Sequence, residues 1–413
     1  MSRLPRLPGW TTSTVGVAHS QTDRQAALAR VVATAVRHVP LYRRHWGLTP
    51  ADDPDAVMRR FGELPLLRKA DLLAADPAEL LDRRFAGAGL ATEPTSGSSG
   101  QVFTMRIDAA AHRARRLRFL TALLANGYFP GRRILMVSSQ PTAMIESRQR
   151  WASRLGWQYV DLDSPESEIA ASFARTRPHV VYGPLSALLD LAARLPAAAT
   201  RHLPRRVIST GEQLLPQQRR MLQDAFGTDV TDFYGMTELG LLAYRPAGME
   251  DYRVAHRDFL LEFLPLGAGG DELERLVVTD LRGGALPLLR FDTGDLVRRD
   301  LTRPEHPITA FLGRRIDSLV LTDGTRLSPY RLITTLEALA GMAEYRVTQQ
   351  ADRSVEVTLR CDGDDGSALA ARAQQAVTLL CPGLPLRVIC TSGPLPRPDG
   401  KRRPIRSLAS GAA

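Results

Sequence analysis

The sequence predicts an α/β protein, with a large N-terminal α/β domain built on a mostly parallel sheet and a small C-terminal α+β domain. Three observations predict it. From about residue 91 to residue 233, short β-branched or apolar runs alternate with helical stretches, the pattern of strands joined by crossover helices. A glycine-flanked turn, Gly313-Arg314-Arg315-Ile316-Asp317, then interrupts the chain. Beyond it, a helix, a strand pair, a second helix and a strand make a unit of about a hundred residues, an ordinary domain size.

Taken in order, residues 1 to about 90 place apolar and charged positions at helical spacing, as in Ala26 to Val36, and are broken by Pro40, Pro50, Pro54 and Pro65. They read as a helical N-terminal region. Strands are expected at Val102 to Ile107, Arg133 to Ser138, Gln158 to Leu162, His179 to Tyr182, Arg206 to Ser209 and Asp229 to Phe233. Strand-like Glu272 to Thr279 and Leu286 to Phe291 lead to the basic turn. The C-terminal unit is expected to run helix (Pro329 to Leu339), strands (Tyr345 to Gln349, Val355 to Arg360), helix (Ala368 to Leu380) and strand (Leu386 to Cys390). The expected division is 1–312, a connecting turn at 313–317, and 318–413.

With 413 residues, 44% hydrophobic and 24% charged, the chain can bury a full core. No run approaches the roughly 18 apolar residues of a membrane span. The stretch Met1 to Pro8 lacks an apolar signal core, so the expected address is the cytoplasm, away from any membrane. Cys361, Cys381 and Cys390 are odd in number and widely spaced, which fits reduced thiols. The formal charge of +10 raises the question of nucleic acid, but the basic residues are scattered. Arg113, Arg115, Arg116 and Arg118 read as one solvated helix face without the interleaved aromatics of a stacking platform. Nucleic acid is not an expected partner.

Lysine occurs only at positions 69 and 401, every other basic chain being arginine. A lysine that survives such a bias is suspect, because its compact ammonium on a flexible stem does what a planar guanidinium cannot. Lys69 lies in Leu67 to Leu73, which reads as an exposed amphipathic stretch with a structural role. The histidines show no metal spacing, and no serine has a nucleophile-elbow sequence.

Three segments carry chemistry. Thr95-Ser96-Gly97-Ser98-Ser99-Gly100 combines close backbone approach with hydroxyls and free N–H groups, an anion-binding loop that lacks the Walker lysine. Asp232 to Glu238 ends a strand where open α/β sheets place ligands, and sets a hydroxyl, Thr237, beside a carboxylate, Glu238. In Arg290 to Asp295, the carboxylate of Asp295 follows a glycine and can accept from two ribose hydroxyls, although Thr-Gly-Asp also suits a hairpin turn.

Together with Ser209-Thr210-Gly211-Glu212, Gly313-Arg314 and Pro396-Arg397-Pro398-Asp399-Gly400-Lys401, these segments resemble in order and spacing the motifs of the adenylate-forming superfamily: acyl-CoA synthetases, peptide-synthetase adenylation domains and luciferases. Leu64-Pro65 to Lys69 is most similar to the phenylacetate-CoA ligase branch. The resemblance implies ATP-dependent activation of an aromatic or related small carboxylic acid to an acyl-AMP, then transfer to CoA. Thr95 to Gly100 would meet the β- and γ-phosphates, and Gly211, Glu212, Tyr234 and Gly235 the adenine. Thr237 would reach the α-phosphate, Glu238 a Mg²⁺ ion, and Asp295 with Arg314 the ribose. Lys401, on a mobile C-terminal lid hinged at 313–317, would serve the adenylation step. Ser138, Ser139, Tyr182, Gly183, Tyr234 and Gly235 would line the acid pocket.

The alternative acceptors are a carrier-protein thiol or an amine. A different class of reading is a nucleotide-binding sensor or scaffold without turnover. The identity of the acid, and the choice between monomer and homodimer, stay open at this level.

Overall fold

The computed structural model describes residues 21–49, 51–94, 103–138, 156–161, 164–195, 202–266, 273–314, 317–327, 329–339, 341–361, 366–393, 395 and 404–409. Thr95, Ser96, Gly97, Ser98, Ser99, Gly100, Ser139, the hinge positions Arg315 and Ile316, and Lys401 lie outside the described residues, as do the side chains of Ser138 and Arg314.

The N-terminal region is helical as expected: α1 (Gln21–His38), α2 (Pro40–His45), α3 (Pro54–Arg59) and α4 (Lys69–Ala74). Prolines open α2 and α3, where a missing N–H costs nothing, and Asp53 caps α3 through Asp55 and Ala56. A short hairpin, β1 (Ala91–Pro94) with β2 (Thr104–Ile107), follows. Next comes α5 (Ala109–Ala125), capped by Asp108.

The main sheet contains β3 (Ile134–Ser138), β4 (Trp157–Asp161), β5 (Val180–Pro184), β6 (Arg206–Thr210), β7 (Val230–Met236), β8 (Gly240–Arg245) and β9 (Arg253–Val254). Their order is β4-β3-β5-β6-β7-β8-β9, parallel from β4 to β7 and antiparallel from there to β9. Leu135, Val137, Val181 and Val207 pack with residues of α6 (Glu166–Thr176), α7 (Leu185–Arg194) and α8 (Pro216–Phe226). Ile134, Met136, Val180 and Ile208 point the other way, into a cluster with Ala122 and Leu123 of α5. Burial of both faces explains why these strands read as continuous apolar runs. The chain passes outward from β3 to β4 and returns to β5 on the far side of β3, and sheets of this kind bind ligands beyond the carboxyl ends of such strands.

A second sheet, β10 (Phe259–Pro265), β11 (Leu273–Asp280), β12 (Phe291–Arg299) and β13 (Ile308–Arg314), is antiparallel throughout. It receives the N-terminal region. Leu67 N–H donates to Arg290 O at 3.0 Å and Asp292 N–H to Leu67 O at 2.8 Å, so residue 67 lies along the start of β12. Leu286 to Arg290, expected as strand, is irregular: Pro287 has no N–H to give a ladder, and Arg290 takes a left-handed φ of 47°. The buried Tyr42 hydroxyl holds this stretch instead, donating to Pro287 O at 2.9 Å and accepting from Leu289 N–H at 2.8 Å.

Past a small ribbon, β14 (Leu319–Val320) with β15 (Arg326–Leu327), comes the C-terminal sheet of β16 (Met342–Gln349), β17 (Val355–Cys361), β18 (Leu386–Thr391) and β19 (Ile405–Ser407). Its order is β18-β17-β16-β19. Helices α9 (Pro329–Glu337) and α10 (Gly366–Leu380) cover it, with Leu332, Val347, Val357, Leu369 and Val377 in one core. Cys381 and Cys390 are free thiols, and burial pushes Cys381 up to about 11. Among the described residues no helix is long and apolar enough to cross a membrane.

Tyr42→Phe removes one donor and one acceptor at a buried irregular segment, leaving Pro287 O and Leu289 N–H without that partner. It is expected to cost about 2 kcal/mol, read as a lower urea midpoint.

Candidate active site

Among the described residues, Tyr182, Gly183, Gly211, Glu212, Tyr234, Gly235, Thr237 and Glu238 lie at or just beyond the carboxyl ends of β5, β6 and β7, while Asp295 and Arg314 lie in β12 and β13. At the end of β5, a Cβ on Gly183 would stand 2.8 Å from Val137 O, so only glycine lets the strands approach as they do. Its neighbour Tyr182 sits edge-on to Phe119 at 5.4 Å and Phe233 at 6.1 Å. Burial pushes the Tyr182 hydroxyl up to about 12, against a hydrogen bond with Thr210, so it is a neutral hydrogen-bonding group at physiological pH. After β6, Gly211 turns with φ 75°, and the Glu212 carboxylate accepts from Ser186 Oγ at 2.6 Å and Ser186 N–H at 3.2 Å. In this structure Glu212 therefore ties the start of α7 to the end of β6.

Tyr234 and Asp295, far apart in the chain, meet: the phenol donates to Asp295 Oδ2 at 2.6 Å. The Tyr234 ring stacks on Phe311 at 3.5 Å with planes 13° apart, and Tyr252 meets Phe311 edge-on at 4.7 Å. Thr293-Gly294-Asp295 is not a hairpin turn. It lies inside β12, where Gly294 takes φ 76° and the register to β13 shifts between Asp295 and Val297. That register sets Asp295 opposite Arg314.

The reversal from β7 to β8 carries Thr237 and Glu238. It is tight, since a Cβ on Gly235 would fall 2.7 Å from Gly240 O. The Glu238 side chain is 9% exposed and faces Lys69, whose Nζ lies 3.2 Å from Oε1. Lys69 is thus partly buried at the candidate site, in place of the exposed position expected of it. The rarity of lysine was the signal that could have found it.

A second correction concerns α5. Arg115 and Arg118, three residues apart and so on one helix face, point inward, with side chains 16% and 10% exposed. Arg115 donates to Thr237 O at 2.8 Å and Glu238 O at 2.5 Å. Arg118 donates to Leu239 O at 2.8 Å, Leu241 O at 2.6 Å and Asp258 Oδ2 at 2.5 Å. The two arginines hold the three carbonyls of the reversal and that of Leu241 in β8. Burial lowers the Arg115 pKa, with Glu93 and Asp280 acting the other way. Asp280 lines the same small cleft, where burial pushes its carboxyl up to about 6. Among the described residues no three His, Cys, Asp or Glu side chains cluster as a metal cage.

No family model and no curated protein matches the chain. Solved structures do match. A 2-hydroxyisobutyryl-CoA ligase in its postadenylation state, in complex with 2-HIB-AMP, aligns at a TM-score of 0.74 with 17% identity over 94% of this chain and 89% of that one. The same ligase in its thioesterification state aligns at 0.58. ATP-bound MatB from Rhodopseudomonas palustris aligns at 0.55, with 20% identity over 74% of this chain and 65% of that one. An anthranilate CoA ligase in complex with anthranoyl-AMP also aligns at 0.55, with 15% identity over 85% and 70%. At such identities the likeness establishes the fold alone: this chain shares the architecture of these structures.

Asp280 supplies a pH test. Its folded pKa of about 6 stands above the unfolded value of 3.8, so between those values the native state keeps a proton the unfolded chain has lost. Stability from this group therefore falls as pH rises through that window, and the charged, enclosed carboxylate is a fixed cost above it. Asp280→Asn is expected to melt above the parent at neutral pH, with the gain vanishing near pH ~4. Thermal melts across pH check it.

Proposed function

We propose that the protein activates a small carboxylic acid with ATP and passes the acyl group to CoA. The observation that carries this reading is the meeting of Tyr234, Asp295 and the Glu238 turn at one end of the sheet, on a scaffold shared with CoA ligases. A carboxylate oxygen attacks the α-phosphorus of ATP, the bond to the β-phosphate oxygen breaks, and pyrophosphate leaves. The CoA thiol then attacks the acyl carbon, AMP departs, and a thioester remains.

In this reading residues 1–312 bind ATP and acid, 313–317 are the hinge, and 318–413 are the lid. Leu312 still packs with Leu273 and Leu296 of the second sheet, whereas Leu319 belongs to the C-terminal core, and Gly313 between them takes φ 86°. That change of core supports the division. Phe311 covers one face of Tyr234, so adenine would stack on the other. Asp295, held by the Tyr234 hydroxyl, would accept from the ribose hydroxyls, and Arg314, its partner across the strands, would donate to them. Thr237, fixed through its carbonyl by Arg115, would meet the α-phosphate. The hydroxyl-rich loop of Thr95 to Gly100 would hold the outer phosphates, and Tyr182 and Gly183 would border the acid.

Glu238 fits a Mg²⁺ site: it is a single carboxylate that already faces a cation, and Mg²⁺ takes one or two carboxylates plus substrate phosphates. Bound there, Mg²⁺ would neutralise phosphate charge. Attack of one anion on another also needs a cation at the reacting centre, and Lys401 supplies it when the lid closes.

The reading is tested by pyrophosphate release with MgATP across aryl, alkyl and amino acids, each with and without CoA. Acid-dependent release stimulated by CoA is the expected result. Release without CoA stimulation would shift the acceptor to a carrier thiol or an amine, and ATP binding without release on any acid would favour a sensor. Lys401→Ala is expected to cut the adenylation rate by about 10²-fold or more while ATP affinity stays near the parent's. Equal losses in both would contradict its assignment.

A further inference from the structure

Lys69 reaches Glu238 along a path built for the purpose. Leu67 is hydrogen-bonded on both sides of Phe291, to Arg290 O and from Asp292 N–H. Arg290 is itself buried, bonded to Glu262 through Nε at 3.1 Å and Nη2 at 2.8 Å, and to Leu64 O. The chain then enters α4, whose first residue is Lys69. Its side chain is a quarter exposed while that of Glu238 is nearly buried. The other base nearby, Arg115, bonds the carbonyl of Glu238. Lys69 is the cation that the described structure sets on the carboxylate itself.

A carboxylate this enclosed is costly without a counter-charge. If Glu238 is the Mg²⁺ ligand of the reading above, on which this inference rests, it needs a partner before the metal comes and must release it afterwards. A lysine suits the exchange, having a point charge on a mobile stem and no fork to lock onto two oxygens. We propose that Lys69 is a positioning residue that stands in for Mg²⁺ at Glu238: it holds the carboxylate aimed in the metal-free protein, and the incoming metal displaces it. Lys69 thereby sets the Mg²⁺ concentration at which the nucleotide site fills, since a ligand that must displace a competitor binds with reduced apparent affinity. A purely structural tie between α4 and the β7–β8 turn would affect stability and leave that concentration unchanged.

The experiment is calorimetric ATP binding without acid, at stepped free Mg²⁺, for the parent, Lys69→Met and Lys69→Arg. In Lys69→Met the Mg²⁺ midpoint is expected to fall by about five-fold or more, the low end of ordinary coupling between ligands. Lys69→Arg, which restores the charge, returns it toward the parent value. Lys69→Gln is the second neutral variant should the methionine form not fold. An unmoved or raised midpoint in a cooperatively melting neutral variant overturns the proposal. If the parent binds no ATP at any Mg²⁺ concentration, the functional reading fails and this inference with it; parental binding with an unmoved variant midpoint overturns this inference alone.

Discussion

A turn between two paired strands exposes carbonyls, and the turn from β7 to β8 spends its carbonyls on Arg115 and Arg118. The rest of the site depends on that clamp. Thr237 and Glu238 project from a loop of three residues between β7 and β8, and a loop that short still rocks unless something fixes its peptide planes. Two guanidiniums from one face of α5 do so with hydrogen bonds to four carbonyls, each charge-assisted and so stronger than a neutral one. Removing either arginine would strand carbonyls it now satisfies, which makes the arrangement stiff as well as stable. Gly240 belongs to the same device, since a Cβ there would lie 3.3 Å from both Arg115 Cγ and Arg118 Nη2.

The N-terminal helices also bear on the site, through Lys69 at the start of α4. They share one core with the second sheet, Leu28, Val32 and Val36 packing in the cluster that holds Phe259, Leu276 and Phe291. The polar ties of Tyr42 and Leu67 then fix where along that sheet they sit. Apolar burial alone is non-directional, so those few hydrogen bonds are what convert a packed region into one that delivers Lys69 to a defined place. The buried Arg290–Glu262 pair acts in the same way: its net worth to stability is small against the desolvation it requires, but its geometry admits one register of the arm.

The parallel strands were legible because strands buried on both faces leave continuous apolar runs, and β3, β5 and β6 fall close to where those runs stand. The segment Leu286 to Arg290 shows the limit. Its apolar side chains are buried as a strand's would be, yet two of its backbone groups, Pro287 O and Leu289 N–H, are satisfied by a side chain more than two hundred positions earlier, which no local pattern records. The orientation of α5 was illegible for a related reason. Its four arginines, Arg113, Arg115, Arg116 and Arg118, fall close together and spread around the helix, so the basic run marks no inward side, and the carbonyls that bind Arg115 and Arg118 carry no signature in the turn that offers them. In the candidate site, Tyr234 and Asp295 come from segments the sequence singled out, while their contact, the stacking of Phe311 and the engagement of Glu212 by Ser186 depend on strand register and helix placement that only the fold supplies.

The division of labour among the cations follows from their chemistry. Where a charge must hold one geometry, the chain uses arginine: Arg115 and Arg118 beneath the turn, Arg290 under the N-terminal arm, Arg299 bidentate on Glu274. Each grips two or more acceptors with a planar fork, which fixes direction as well as charge. In a chain so biased to arginine, the two lysines fall one on each side of the proposed hinge, Lys69 on the ATP-binding domain and Lys401 on the lid. Under the proposed function both are charges that must change partners within a cycle, one when metal arrives and one when the lid closes. An ammonium on a four-carbon stem can leave one anion for another with little rearrangement around it. That requirement gives a physical reason for lysine to persist at those positions when arginine has taken every other basic site.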